Sequence, residues 1–215
     1  FGNGNNNTLR GGPGQDVLSG KNGDDVLDGG VGNDDLDGGD GTDTINEIAD
    51  TDFTLTNNSL TRGTGEVDKL NNIEVANLVG GVGENTFTLT GWTGSGSIDG
   101  ADDPSDPKDD TLIVAADANF TLTDSSLSIS INLGPIALAT FTNPMPSPHT
   151  APTIDMVQLT DGDGNHTLDA SGYSGETLLT GGNGNDILIG GSGHDTLRGG
   201  LGSDTLTGNR SNDVV

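Results

Sequence analysis

Aspartate recurs at every ninth position near both ends of the chain, as Asp16, Asp25, Asp34 and Asp43 in one block and as Asp186, Asp195, Asp204 and Asp213 in the other. Two residues beyond each acid lies an aliphatic side chain: Leu18, Leu27, Leu36 and Ile45 in the first block, Leu188, Leu197, Leu206 and Val215 in the second. Asn7 and Leu9 extend the first frame by one worn copy, and Leu179 opens the second apolar ladder. Short carboxylates at a fixed period offer hard oxygen donors, the type that hard divalent cations take. They suit acid–base catalysis poorly, because that chemistry needs one carboxyl desolvated in a cleft rather than a regular array.

The elements that position these acids are the nonapeptides themselves. The first block reads GNGNNNTLR from Gly2, then GGPGQDVLS from Gly11, GKNGDDVLD from Gly20, GGVGNDDLD from Gly29 and GGDGTDTIN from Gly38. The second reads GGNGNDILI from Gly181, GGSGHDTLR from Gly190, GGLGSDTLT from Gly199 and a truncated GNRSNDVV from Gly208. Glycines at the first, second and fourth positions permit positive φ, so six residues wrap tightly with their carbonyls turned toward one centre. The other three form a very short strand whose middle side chain points inward. Two units make one coil, and coils stack as parallel strands at roughly 4.8 Å around a narrow aliphatic core.

These units resemble the GGxGxDxUx nonapeptide of the repeats-in-toxin (RTX) haemolysin-type calcium-binding family. The resemblance implies an all-β parallel β-roll or β-solenoid of short strands, with multiple Ca²⁺ ions as its cofactor. Each ion would lie between the loop of one repeat and the loop two repeats later, which pairs Asp16 with Asp34, Asp25 with Asp43, Asp186 with Asp204 and Asp195 with Asp213. Two carboxylates plus loop carbonyls make the all-oxygen set that calcium prefers. Asn7 would face Asp25 with a weaker donor.

Composition agrees with an ion-dependent fold. Of 215 residues only 29% are hydrophobic and 3% aromatic, while 37 are glycine. Against 33 acids stand 7 bases, a net charge of −26. That charge excludes nucleic acid and anionic membrane surfaces as partners, and it leaves the chain disordered unless something neutralises it. Cysteine is absent, so neither disulfides nor thiolate metal sites reinforce the fold. No apolar run is long enough for a membrane span, so membrane insertion is not expected. The start, Phe1-Gly-Asn-Gly, is neither an initiator methionine nor a charged signal region, and predicts a processed product or a segment of a longer repeat chain.

Four units are expected: an N-terminal β-roll over 1–46, two middle solenoid units over 47–114 and 115–180, and a C-terminal β-roll over 181–215. The middle units are a duplication. DFTLTNNSL from Asp52 recurs as NFTLTDSSL from Asn119, and IEVANLVGGVGENTFTLTGWTG from Ile73 recurs as IDMVQLTDGDGNHTLDASGYSG from Ile154. The later copy carries an insertion within 128–153, where alternating Ile129, Ile131 and Leu133, a Gly134-Pro135 turn and Ile136 with Leu138 predict a β-hairpin projecting from the roll, followed by a proline-rich loop. The FTLT segments read as strands with one buried face. Asp110, at the end of an expanded nonapeptide, and Asp161, Asp163 and Asn165, in an eroded loop, are further ligand candidates. Trp92 and Tyr173 hold equivalent places in the two copies and read as packing residues rather than a sugar-stacking platform.

No catalytic constellation assembles: there is no HExxH, no GxSxG, no cysteine nucleophile and no phosphate loop, so the chain is read as a non-enzyme. The function expected is a secreted, extracellular structural protein, a calcium-stabilised solenoid building a filament, surface layer or adhesin. The alternatives are the calcium-binding module of a type I secreted enzyme or toxin and, behind it, a carbohydrate-binding module. The frame runs from Val215 through Phe1 into Gly2 in register, which predicts head-to-tail self-association or continuation of a longer array.

Overall fold

A computed structural model describes residues 1–63, 65–101, 110–116, 118–123, 126–130, 138–142 and 154–215. The described strands of the first block are β1 (Thr8–Arg10), β2 (Val17–Asn22), β3 (Val26–Asp28), β4 (Asp35–Asp40) and β5 (Thr44–Ile48). The first middle unit follows with β6 (Phe53–Thr56), β7 (Ser59–Arg62), β8 (Glu66–Asn71), β9 (Val75–Val79), β10 (Thr86–Thr90), β11 (Ser95–Asp99) and β12 (Thr111–Ala115). The second holds β13 (Asn119–Thr123), β14 (Ser126–Ser130), β15 (Leu138–Thr142), β16 (Met156–Thr160) and β17 (Thr167–Gly172). β18 (Glu176–Asn183), β19 (Ile187–Ile189), β20 (Asp195–Leu201) and β21 (Thr205–Thr207) complete the series. Among the described residues there is no helix.

Outside the runs β6–β8 and β13–β15, successive strands fall on alternate faces of a two-sheet solenoid. One sheet runs β1-β3-β5-β9-β11-β15-β14-β13-β17-β19-β21 and the other β2-β4-β8-β7-β6-β10-β12-β16-β18-β20. Within the nonapeptide blocks the pairing is parallel and joins residues two repeats apart: Leu9 to Leu27, Leu27 to Ile45, Leu18 to Leu36, Leu179 to Leu197 and Leu188 to Leu206. The eighth position of each repeat thus stacks on its own kind, and Leu27, Leu36, Ile45, Leu179 and Leu188 are fully buried. Val215 stays in register, since its neighbour Val214 bridges to Thr196, yet it is 72% exposed and adds nothing to the core.

The middle units keep the two sheets and add antiparallel strands to each. In the first, β6, β7 and β8 form an antiparallel meander whose outer strands pair in parallel with β10 and β4, so three strands occupy the rung of one. The segment DFTLTNNSL, expected only as a strand, is therefore a hairpin. Its two-residue connection is pinned by the Thr56 hydroxyl, which accepts the N–H groups of Asn58 and Ser59 at 3.2 and 3.0 Å. Phe53 stacks on Phe87 of the next rung with ring centroids 5.4 Å apart, and Leu55 and Leu60 are fully buried behind them.

The second copy repeats the device on the opposite face, where β13, β14 and β15 form an antiparallel meander between β17 and β11. The expected hairpin is present as the antiparallel pair β14–β15, but its described strands do not project: they lie within the sheet, each paired on both edges. The expected turn at Gly134-Pro135 and the proline-rich loop lie outside the described residues. Trp92 and Tyr173 are 4% and 2% exposed, and the Tyr173 hydroxyl donates to the Ile154 carbonyl at 2.5 Å. Neither ring has a face open for stacking on a sugar.

Candidate metal sites

Each glycine-rich loop brings an aspartate inward through two different uses of glycine. At the second and fourth positions the backbone is left-handed in most loops, as at Gly30 (φ 90°) and Gly32 (φ 135°), where a side chain would be strained; Gly4, Gly191 and Gly193 lie outside that region. The first-position glycines are not in that region, contrary to the sequence expectation; they are needed for space. A Cβ on Gly20 would stand 2.3 Å from Asp25 Oδ2 and 2.5 Å from the Gly38 carbonyl oxygen, and one on Gly29 would stand 2.4 Å from Asp34 Oδ2. The carboxylate therefore folds back over its own loop, beside a carbonyl of the next coil.

One oxygen of the later carboxylate in each pair is then fixed by the coil before it. The N–H of Asp16 donates to Asp34 Oδ1 at 2.8 Å, that of Asp25 to Asp43 Oδ1 at 2.7 Å, that of Asp186 to Asp204 Oδ1 at 3.0 Å and that of Asp195 to Asp213 Oδ1 at 3.1 Å. Asn7 joins through its N–H to Asp25 Oδ1 at 2.6 Å. All five pairings expected from the sequence are thus brought together in space.

The other oxygen is buried and has no hydrogen-bond partner in Asp16, Asp25, Asp34, Asp43, Asp186 and Asp195. An ionised carboxylate oxygen withheld from water without a partner is costly. Burial first, and neighbouring carboxylates second, hold the Asp43 and Asp195 carboxyls above their usual range, Asp25 and Glu74 acting on Asp43 and Asp213 on Asp195. A divalent cation among these oxygens reverses both effects. Short hard acids, inward carbonyls and unpartnered buried oxygens fit Ca²⁺.

The ladder continues through residues the repeat pattern did not reveal. The N–H of Asp34 donates to Asp68 Oδ1 at 2.9 Å and that of Asp43 to Glu74 Oε2 at 2.9 Å. Further on, the Asn85 N–H donates to Asp110 Oδ1 at 2.7 Å and the Asp110 N–H to Asp155 Oδ2 at 3.2 Å. Asp110 is fully buried on this ladder, so it joins the candidates on geometry. Glu74 and Asp155 have no glycines in the five residues before them, and Gly63 and Gly65 before Asp68 belong to the β7–β8 connection rather than to a nonapeptide. The signal that finds these acids is an acid two residues before an inward apolar side chain: Leu70, Ala76 and Val157.

The eroded loop after β16 differs. Asp161 is buried, accepts the N–H groups of Ala118 and Gly162 at its Oδ1, and meets His166 Nδ1 at 2.7 Å through its Oδ2. His166 takes the position an aspartate holds elsewhere, and its N–H donates to Asp186 Oδ1 at 3.0 Å. Asp161, His166 and Asp186 offer ligand atoms within 4.8 Å of one another. Asp163 and Asn165 are exposed on the outer turn, where Asp163 accepts from the Asn183 amide and Asn165 from the Asn185 N–H. They brace neighbouring loops and do not join the inward cluster.

A family model for four copies of the RTX calcium-binding nonapeptide repeat matches residues 1–36, 11–45 and 180–215. No curated protein matches the chain.

Proposed function

We propose, from the match of both ends of the chain to the RTX calcium-binding nonapeptide repeat, that this is a secreted structural protein, a solenoid consolidated by extracellular calcium that builds a filament, surface layer or adhesin and turns over no substrate. The observation that carries the reading is the row of buried aspartate oxygens without partners, repeated coil after coil. A catalytic site would single out one carboxylate, whereas these are equivalent, and their equivalence favours ion storage along a scaffold. Calcium near millimolar concentration outside the cell matches the affinity typical of extracellular modules, roughly 0.1–1 mM.

Assembly rests on the outermost described rungs. Leu9 and Leu206 are only partly buried against the core, and β1 and β21 pair on one edge only. A further coil, from the same polypeptide or from a second copy, would cover them in the register used within. The test is circular dichroism and light scattering with calcium varied against excess chelator. Calcium should raise the β signal cooperatively and increase particle mass. A β signal indifferent to chelator would overturn the calcium reading, and a monomer at high concentration in millimolar calcium would overturn the assembly reading alone.

A further inference from the structure

The ladder through Asp16, Asp34 and Asp68 defines two gaps between successive coils, and they are filled differently. In the first, between the Gly11–Asp16 and Gly29–Asp34 loops, Asp16 and Asp34 each keep a buried carboxylate oxygen without a partner. In the second, between the Gly29–Asp34 loop and Asp68, a guanidinium is already present. Arg62 Nη1 donates to the Gly30 carbonyl oxygen, and Nη2 donates to the Gly32 carbonyl oxygen at 3.0 Å and to Asp68 Oδ2 at 3.0 Å. Its side chain is 7% exposed and that of Asp68 is fully buried.

Gly30 and Gly32 are the second and fourth residues of their nonapeptide, and Asp68 is the carboxylate of the following coil. Two loop carbonyls and a carboxylate one coil on are the oxygen types expected around calcium in the regular coils. The Arg62 fork reaches all three at once, as a planar donor of fixed geometry can. Glu47 Oε2 at 3.2 Å and Glu66 Oε2 at 3.6 Å add further negative charge around it.

The sequence explains why an arginine stands there. Asp68 is reached through the β6–β7–β8 meander, so Gly63 and Gly65 ahead of it belong to the connection between the antiparallel strands β7 and β8 and not to a nonapeptide loop whose own carbonyls would complete a calcium shell. Arg62, at the end of β7, is the residue the meander turns back into that gap. Resting on the calcium reading above, we propose that Arg62 is a tethered cation occupying the slot a calcium ion would take between the Gly29–Asp34 loop and Asp68. The three acids of this ladder then hold one ion rather than two, and the junction between the N-terminal block and the middle unit closes without calcium.

Two measurements test this on the full chain. Calcium stoichiometry, by titration calorimetry and equilibrium dialysis after chelator treatment, should rise by one ion per chain in Arg62→Ala, with folding checked by circular dichroism in calcium. Should that variant not fold, hydrogen exchange on the wild-type chain serves instead. In excess chelator the Asp34 amide, held by Asp68 beside Arg62, should keep its protection while the Asp16 amide, held by Asp34 across the calcium gap, loses it. An unchanged ion count in a folded Arg62→Ala, or equal loss of protection at the two amides, overturns the proposal while leaving calcium binding intact. A wild-type chain that takes up no calcium overturns the calcium reading itself, and with it the slot that Arg62 is said to fill.

Discussion

At the scale of single residues, the fold depends on which positions of the nonapeptide are free to carry a side chain. Lys21 sits at a second position, where six of the other repeats carry glycine and the two worn ones asparagine (Asn3 and Asn209), and its backbone is left-handed with φ 90°. A lysine in that region pays a steric cost of about 1 kcal/mol that glycine avoids. Lys21→Gly is therefore expected to raise stability by about 1 kcal/mol, less whatever its ammonium gains over the Phe1 ring at 5.6 Å. Thermal unfolding in saturating calcium checks it, and a lower midpoint would show that the ring contact outweighs the strain.

At the scale of elements, β5 and β7 meet through a buried ion pair in which Glu47 faces Arg62. Burial pushes the Glu47 carboxyl up from 4.5 to about 7, against the opposing pull of the Arg62 guanidinium. A carboxyl whose folded value is raised binds its proton more tightly in the folded state. Its contribution to stability is thus complete below about pH 4.5 and declines as pH rises toward about 7. Glu47→Gln, which cannot ionise, should flatten that decline, so the gap between variant and wild-type unfolding midpoints should widen from pH 5 to pH 8. A gap independent of pH would show that Glu47 does not titrate in this window.

The same elements show what the sequence reveals and what it hides. Both nonapeptide blocks are legible to the residue, because a nine-residue period fixes face, register and acid position together: Leu18 on Leu36 and Asp16 beside Asp34 follow from counting alone. The meanders are not legible that way. DFTLTNNSL alternates like any half-buried strand, and only tertiary pairing of β6 with β10 decides that it folds back on itself. Asp68 and Glu74 escape notice for the same reason, since the meander between β5 and β9 separates them from the frame. Arg62 could not be placed from its neighbours in sequence, because its partners Gly30 and Gly32 lie about thirty residues away.

At the scale of the whole molecule, each coil leans only on its neighbours, so stability is distributed along one dimension. The middle carries the larger apolar side chains, Phe53, Phe87, Trp92 and Tyr173 among them, all buried, whereas the end blocks pair slender Leu ladders with unneutralised carboxylates. Gradual removal of calcium should therefore unravel the two ends before the middle. Hydrogen exchange along a chelator series should show amides of β2 and β20 losing protection ahead of those of β10 and β12, and simultaneous loss would contradict it.

The ladder of amides also has a direction. Asp25, Asp34 and Asp43 each grip the N–H of the coil that precedes them, as Asp43 grips Asp25 and Asp34 grips Asp16, while their own N–H groups are gripped by the coil that follows. Damage to one acid is accordingly felt upstream: without Asp43 the Asp25 loop loses its clasp, yet the Asp43 loop keeps its own through Glu74. The N-terminal block is in this sense hung from the middle coils by Asp68 and Glu74. The C-terminal block instead does the gripping, with Asp186 holding the N–H of His166 and Asp195 that of Thr177. The solenoid is therefore a zipper with a polarity, in which order is handed from later coils to earlier ones.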